Sequence, residues 1–279
     1  MKVAIVGGTG KFGQHMALRF EEDHSVAISG SSVEKAERVA GEYGWEHGSN
    51  TEIVKDADIV VVSVPISITT EVIHEIGPHV PEDALLTDVT SVKQKPVEAM
   101  EKYSSEVLGM HPMYAPSNTV EGQKVVLTPV KGDRWMFMED FWQDLGADIH
   151  ITDPGSHDSA MSVVQGLMHF SELVIAETVE RTELEEETDE YSTPVHTLIT
   201  DLVARMLNQQ SELYGAIQSE NPRNEDIREN FIRSAEHIKD IIGTEEFSGR
   251  FDELGDQFDL EESQERSDKV IEYLSNELR

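Results

Sequence analysis

The segment that decides the fold of the first half is residues 2–13, KVAIVGGTGKFG, an apolar run followed at once by a glycine-rich turn. The apolar letters predict a short buried strand, and residues 11–20 continue with the apolar periodicity of a helix. Gly8, Gly10 and Gly13 fit the spacing G-x-G-x-x-G. A strand, this turn and a helix in that order predict the start of a dinucleotide-binding domain.

Each glycine of the turn has a predicted physical task. Gly8 permits the tight turn, Gly10 lets the backbone approach a pyrophosphate, and Gly13 lets the helix pack closely on the strand. The first turn of the helix then presents free N–H groups to the phosphates. The residues expected to contact the cofactor, here and after the next strands, are Gly8, Thr9, Gly10, Lys11, Phe12, Gly13, Ser31, Ser32, Val64 and Pro65.

Further strands and helices alternate along residues 1–152. Strands are predicted over residues 25–29, 57–64, 84–89, 106–110 and 124–128, with helices such as 32–43 and 67–76 between them. This alternation is typical of an α/β domain with a doubly wound parallel sheet of the Rossmann type. Ligands of such sheets bind beyond the carboxyl ends of the strands, so the chemistry is expected there.

The end of the second strand bears on the choice of cofactor. An NAD site usually places Asp or Glu there to hydrogen-bond the ribose, whereas residues 28–32 read ISGSS and the first acid is Glu34. A small loop with hydroxyl groups can accept a 2′-phosphate, which favours NADP. The arginine expected beside a 2′-phosphate is missing, so NAD stays open.

The second half, residues 153–279, shows only helical periodicity after the break at residues 153–156, DPGS. Residues 157–181 are apolar almost all round, which predicts burial within a bundle or an interface. The other predictions are a core-facing helix over 194–218, helices over 224–240 and 263–278, and an acidic loop over 182–190. An all-helical domain behind a dinucleotide-binding domain suggests dimerisation and closure of the active site, so we expect a homodimer.

Charge is the most unusual bulk property, with 55 Asp and Glu against 22 Lys and Arg for a net charge of −33. The acids are dispersed, which predicts a surface adapted to molar salt and argues against nucleic-acid binding. No export signal or stretch of roughly 20 apolar residues is visible. With 0 cysteines there can be no thiolate chemistry. We expect a cytoplasmic protein without a metal site or membrane association.

Five short motifs along the chain resemble those of the prephenate dehydrogenase family. The segments GMHPM at 109–113, DVTSVK at 88–93 and VLTP at 126–129 resemble its G-x-H-P-[MI], D-x-x-S-V-K and L-T-P motifs. His157-Asp158 and the segment QGLMHF at 165–170 resemble its H-D and S-H-L-P-H. The resemblance covers nearly the whole chain and implies oxidative decarboxylation of prephenate to 4-hydroxyphenylpyruvate, with NAD(P) as hydride acceptor, in tyrosine biosynthesis.

The same resemblance implies roles for four residues. His111 would take the proton of the substrate's C4 hydroxyl, and Ser91 would orient His111 or that hydroxyl. His169 and Arg205 would bind the substrate, with the guanidinium of Arg205 on a carboxylate. Each residue also has an alternative, structural role. His111 could lock a proline turn and Ser91 could cap the helix that follows it. His169 could be a core histidine, and Arg205 could lie at the edge of the apolar stripe of its helix.

Two departures from the family pattern leave other functions open. Gln165 and Gly166 replace the first Ser-His pair, and residues 115–117, APS, stand where the family often has G-T-E. Arogenate, which differs from prephenate in its side chain, therefore stays possible as the substrate. The rivals are a deazaflavin-dependent NADP reductase of the same layout and a non-catalytic NAD(P)-sensing module, which would leave His111 and Arg205 without a shared purpose.

Overall fold

The computed structural model describes residues 1–182 and 191–277, so most of the expected acidic loop lies outside it. The described residues form two compact units, one of 1–161 with 219–222 and one of the remaining residues from 162 onwards. The division falls within a helix that begins at Pro154, downstream of the predicted boundary between 152 and 153. Sequence periodicity cannot show such a division because it does not change there.

The first unit is built on an eight-stranded sheet with the order β3-β2-β1-β4-β5-β6-β7-β8. Its strands are β1 Lys2–Val6, β2 Ser25–Ile28, β3 Glu46–His47, β4 Ile59–Val62, β5 Leu85–Asp88, β6 Glu106–Pro112, β7 Lys124–Lys131 and β8 Asp148–Ile151. Its helices are α1 Lys11–Phe20, α2 Val33–Tyr43, α3 Asn50–Ile53, α4 Ile66–Ile76, α5 Gln94–Met100, α6 Trp135–Asp144 and α7 Pro154–Met161, with a 3-10 turn at Gly77–His79.

The inner strands are apolar because helices cover both faces of the sheet. Val3 and Ala4, which are neighbours on β1 and point to opposite faces, are both fully buried and belong to two separate core clusters. Strand β1 pairs with β2 on one side and with β4 on the other, both parallel. The chain order therefore reverses at β1, and this crevice beyond the carboxyl ends is where dinucleotides bind in such folds. The predicted Rossmann-type domain is confirmed.

One feature of the sheet differs from the wholly parallel prediction. Strand β7 runs antiparallel to β6, and His111 lies within β6 opposite Val126 instead of in a turn after the strand. Period and composition could not reveal this, because a strand buried on both faces has the same apolar sequence in either direction. The short edge strands β3 and β8 were also not predicted.

The second unit is helical, as predicted. Its elements are a π-helical segment Ser162–Leu167 and the helices α8 Met168–Thr182, α9 Pro194–Leu207, α10 Ser211–Glu220, α11 Asn224–Ile241, α12 Glu245–Gly255 and α13 Leu260–Glu277. The predicted helix over 194–218 is two helices, and α12 was missed. Residues 219 and 220 at the end of α10 belong to the first unit.

Several apolar side chains of these helices are exposed in the single chain. In α9, Val195, Ile199 and Leu202 are 49%, 43% and 47% exposed, and α8 contains no buried residue. The prediction that the 194–218 stripe faces a core is therefore wrong for these positions.

The stretch Pro154–Thr182 is also long and apolar enough, by length and composition alone, to cross a membrane. A criterion of consecutive apolar residues does not pick out this stretch, because mean hydropathy tolerates scattered polar residues.

Candidate active site

The glycine loop after β1 approaches neighbouring backbone too closely for side chains. Gly7 has a φ of +84°, and a Cβ there would lie 2.3 Å from the carbonyl oxygen of Ser63. A Cβ on Gly8 would lie 2.7 Å from the side chain of Ile28. The tight turn was assigned to Gly8, but its left-handed residue is Gly7, and Gly8 is required by close packing against Ile28 of β2.

The other two predicted glycines support the start of α1. A Cβ on Gly13 would lie 2.6 Å from the carbonyl oxygen of Gly7, so Gly13 allows the close packing that was predicted. Gly10 is the N-cap of α1 and offers no side chain to the first turn, so the amide groups there remain available to an anion. Lys11 is exposed, whereas the Phe12 ring packs at 5.5 Å from the His15 ring. The loop therefore fits a dinucleotide's pyrophosphate.

The ends of β2 and β4 flank this loop. Val64, after β4, would contact a Cβ on Gly7 at 2.9 Å, and Pro65 beside it is the N-cap of α4. Gly30, after β2, packs against Thr9, where a Cβ would lie 2.5 Å from the threonine hydroxyl. The expected cofactor residues of the loop and of β4 thus lie together.

The two serines after β2 differ in their surroundings. The Ser32 hydroxyl caps α2 by accepting from the Lys35 amide at 3.2 Å. The pKa of Glu34 is lowered by its own backbone amide and by a hydrogen bond with Ser32. Ser32 is therefore engaged in the helix start, and exposed Ser31 is the hydroxyl left for a ribose or its phosphate.

His111 is buried near the carboxyl end of β6 and is held by a second histidine. Its Nδ1 lies 2.9 Å from Nε2 of His157, and the two rings meet edge to face. Burial lowers the pKa of His111 well below its usual value, and electrostatic interactions with His157 and Lys93 lower it further. His111 is therefore neutral at physiological pH, as a proton acceptor must be.

Asp158 connects this pair to the start of α5. Its Oδ1 lies 2.8 Å from His157 Nδ1 and accepts from the Lys93 amide at 2.8 Å, while Oδ2 accepts from the Gln94 amide at 3.0 Å. Lys93, the N-cap residue of α5, provides no side-chain cap, and Asp158 accepts from the first amides of the helix instead. Asn221 donates to the Asp158 carbonyl at 2.8 Å.

A buried ion pair lies close to His111. Lys93 is fully buried, and its Nζ donates to Asp88 Oδ2 at 2.5 Å and to the Met110 carbonyl at 2.6 Å. Burial lowers the pKa of Lys93, while Asp88 opposes that shift. The Thr90 hydroxyl also donates to Asp88, so this pair ties the end of β5 to β6 beside His111.

In the part of the chain that the structure describes, Ser91 neither caps the helix that follows it nor hydrogen-bonds to His111. The helix after it begins at Gln94 with Lys93 as N-cap, so Ser91 is not the helix cap. Within residues 1–182 and 191–277, no hydrogen bond joins Ser91 to His111, whose Nδ1 is taken by His157. Ser91 is partly exposed, which leaves contact with the substrate hydroxyl as its remaining predicted role.

His169 and Arg205 belong to the second unit. His169 follows the π-helical segment, a feature common at functional sites, and its ring meets Tyr214 edge to face at 4.7 Å. Burial raises the pKa of Tyr214, Glu172 adds to the rise, and Arg205 opposes it. Exposed Arg205 therefore lies within electrostatic reach of the tyrosine that packs on His169.

The departure at Gly166 has a local cause. A Cβ on Gly166 would lie 2.3 Å from Oδ1 of Asn224, so a histidine does not fit there. Asn224 is buried and donates to the Ile217 carbonyl at 2.8 Å.

The motif His157-Asp158 is visible in the sequence, but no role for either residue follows from it. Tyr214, the contact of Asn221 with Asp158 and the Lys93–Asp88 pair were not predicted. The one sequence signal that could have pointed to these buried polar contacts is composition. His, Asp and Lys inside apolar stretches indicate polar groups that need buried partners.

The sheet order, the glycine loop and the neutral buried histidine at the strand ends define the class of NAD(P)-binding proteins with a Rossmann domain. Two family models match in tandem: "Prephenate dehydrogenase, nucleotide-binding domain" at residues 16–151 and "Prephenate dehydrogenase, dimerization domain" at 153–258. The chain therefore belongs to the prephenate dehydrogenase family.

Individual relatives agree with this assignment. The "Probable arogenate/prephenate dehydrogenase" of Methanocaldococcus jannaschii is 34% identical over 89% of this chain and 58% of its own length. The "T-protein" of Haemophilus influenzae is 31% identical over 80% and 57%. The chain thus spans a little over half of the length of these curated relatives.

Among solved structures, prephenate dehydrogenase from A. aeolicus with hydroxyphenyl propionate and NAD+ superposes with a TM-score of 0.72. It is 25% identical and covers 92% of this chain and 96% of the other. A shorter match is the "F420-dependent NADP reductase" of Methanocaldococcus jannaschii, which is 32% identical over only 27% of this chain.

Proposed function

We propose that the protein is a prephenate dehydrogenase. In this reaction the substrate's C4 hydroxyl loses its proton, C4 loses a hydride, and the bond to the ring carboxylate breaks to release CO2 and leave an aromatic ring. The bound nicotinamide would accept the hydride. The observation that carries the proposal is neutral, buried His111 at the carboxyl edge of the sheet, with Nδ1 occupied and Nε2 left for the substrate hydroxyl.

Substrate binding is assigned to the second unit. Arg205 is an exposed guanidinium within electrostatic reach of Tyr214, which packs on His169, and a guanidinium suits the planar, bidentate recognition of a carboxylate. In the free protein Arg205 is solvated, so its contribution arises when a substrate carboxylate replaces water.

The substrate is proposed to be prephenate rather than arogenate, which carries an amino group in place of the side-chain keto group. The experiment is an absorbance assay for reduced nicotinamide with each substrate, each nucleotide and molar KCl. A kcat/KM for prephenate at least tenfold above that for arogenate supports the proposal. The reverse preference makes the protein an arogenate dehydrogenase, and no reduction with either substrate contradicts both functions.

The rival functions have less support. The match to the deazaflavin-type reductase covers about a quarter of the chain, against the two tandem domain matches to prephenate dehydrogenase. A sensing module would need no neutral histidine held by a second histidine and a buried carboxylate.

For the cofactor, we propose that NADP is used at least as well as NAD. The loop after β2 has no acid before Glu34, exposed Ser31 is free to hydrogen-bond a 2′-phosphate, and Lys35 lies one turn further along. The carboxylate of Glu34 is hydrogen-bonded to Ser32 and so does not stand in the place of a 2′-phosphate. The loop is therefore compatible with NAD as well.

The proposed assembly is a homodimer through the helical domain. Its support is the match to a dimerisation domain and the exposed apolar stripe of α9, which water would otherwise cover. The acidic surface leads us to propose also that the protein works in a cytoplasm of molar salt.

A further inference from the structure

We propose that His157 and Asp158 are positioning residues that fix the tautomer of His111. This inference rests on the proposed function of His111 and assigns a role to two residues that the reaction does not otherwise use. It is carried by the continuous chain of contacts from Asp158 through His157 to His111.

The first step is the charge state of Asp158. Both of its oxygens accept backbone amide protons, from Lys93 at 2.8 Å and Gln94 at 3.0 Å. With one backbone amide donating to each oxygen, the arrangement favours the carboxylate, whose lone pairs can accept from both amides and from His157. The side chain is almost fully buried, and these fixed donors replace the water that a charged group loses.

The second step is the tautomer of each histidine. Because the carboxylate can only accept, Nδ1 of His157 must carry the hydrogen at this 2.8 Å contact. Burial lowers the pKa of His157 although Asp158 opposes the shift, so the neutral ring keeps a lone pair on Nε2. That lone pair accepts from Nδ1 of His111 at 2.9 Å, and neutral His111 is therefore left with its lone pair on Nε2.

The consequence concerns the reaction. A neutral imidazole free in water prefers its hydrogen on Nε2, and in that form His111 would offer the substrate hydroxyl a donor instead of a base. The His157–Asp158 pair imposes the other form. When Nε2 takes the substrate proton, the imidazolium of His111 still donates from Nδ1 to His157, and the nearby carboxylate stabilises its charge. The proton returns to the phenolate oxygen that forms as CO2 leaves.

The experiment combines nitrogen NMR of histidine-labelled protein with steady-state kinetics on the full chain. In the parent protein, the His111 signals should show a protonated Nδ1 and an unprotonated Nε2. His157→Phe removes the acceptor, so His111 should revert to the Nε2–H form. Turnover should then fall, by a factor between roughly 10, for the loss of a contact that orients the ring, and roughly 10⁴, for a base in the wrong tautomer. Both Michaelis constants should stay nearly unchanged.

His157→Gln is the conservative control, because its carbonyl oxygen can accept from His111 Nδ1. It should keep the parent tautomer and most of the turnover, whereas a merely structural role would make the two variants alike. An Nε2–H tautomer in the parent, or normal turnover in a folded His157→Phe variant, overturns the inference. If the tautomers behave as expected but the parent does not oxidise prephenate, the positioning stands and the proposed substrate is wrong.

Discussion

The two units of the chain differ in how much of their apolar surface they bury. In the sheet unit, Val3, Val61 and Leu85 are fully buried and helices cover both faces. In the helical unit, α8 buries none of its residues, and Ile199 and Leu202 are more than two-fifths exposed. Within residues 1–182 and 191–277, a single chain thus buries the apolar surface of the first unit more completely than that of the second.

This difference extends to the proposed chemistry. The first unit holds buried groups with fixed partners, such as His111 and Asp158, which suits a base that must keep one orientation. The second holds an exposed Arg205 within electrostatic reach of Tyr214, which suits a group that captures a solvated carboxylate. We therefore expect variants in the first unit to change turnover and variants in the second to change binding and assembly.

The largest effect is expected for His111→Asn, which keeps a polar group but removes the base. Turnover on prephenate should fall by roughly 10²–10⁴-fold, with its Michaelis constant changed much less. In the parent, the low pKa of His111 should keep kcat/KM flat as the pH falls through the usual histidine range. The matched control is His150→Asn at an exposed position of β8, and equal turnover in both variants would refute the assignment.

Arg205→Ala should have the next largest effect, and on the Michaelis constant for prephenate instead of turnover. A charge pair that is buried once substrate binds typically loses about 2–5 kcal/mol when one member is removed. Arg181→Ala is the control, since Arg181 is an exposed arginine of the same unit paired with Glu177. If both variants bind prephenate as the parent does, the carboxylate must be held by another group.

Assembly offers a third test of the comparison. Leu202→Glu adds a charge to the exposed apolar stripe of α9 and should convert the proposed dimer to monomer in size-exclusion chromatography with light scattering. Met136→Glu in the sheet unit is matched, because Leu202 and Met136 are each 47% exposed. A change in mass for both variants or for neither would contradict the proposal that the dimer forms through the helical unit.

The same comparison explains which features the sequence predicts. The glycine loop is predictable because strand, turn and helix are local, although the left-handed residue proved to be Gly7. The contact between His111 and His157 joins residues 46 positions apart through a strand that runs antiparallel, and neither period nor composition encodes it. The burial of Val195, Ile199 and Leu202 on α9 was predicted wrongly, because an apolar stripe on a helix does not distinguish a chain's own core from a surface that a second chain covers.

The fourth prediction is that lowering the salt concentration affects the thermal stability of the two units differently. Residues 162–279 contain 29 acidic and 10 basic residues, against 26 and 12 in residues 1–161. Lowering KCl from molar to about 0.1 M extends repulsion to roughly 10 Å, so the helical unit should lose thermal stability first. Trp45, Trp135 and Trp142 all lie in the sheet unit, so tryptophan fluorescence reports on that unit alone, whereas far-ultraviolet circular dichroism reports on the helices of both units. Identical melting curves at both salt concentrations would refute the adaptation to salt.

The smallest effect is expected at the cofactor loop, where Ser31→Asp adds a carboxylate beside the position proposed for the 2′-phosphate. Two charges about 4 Å apart in water interact by about 1 kcal/mol, so the ratio of kcat/KM for NADP to that for NAD should fall about fivefold. Ser25→Asp, at the opposite end of β2, adds the same charge far from the loop and should leave the ratio unchanged. A parent enzyme that strongly prefers NAD would contradict the NADP proposal and would mean that a residue outside this loop holds the ribose. A parent that uses NADP well but whose ratio does not respond to Ser31→Asp would instead place the 2′-phosphate away from Ser31, and Lys35 on the first turn of α2 would be the next position to test.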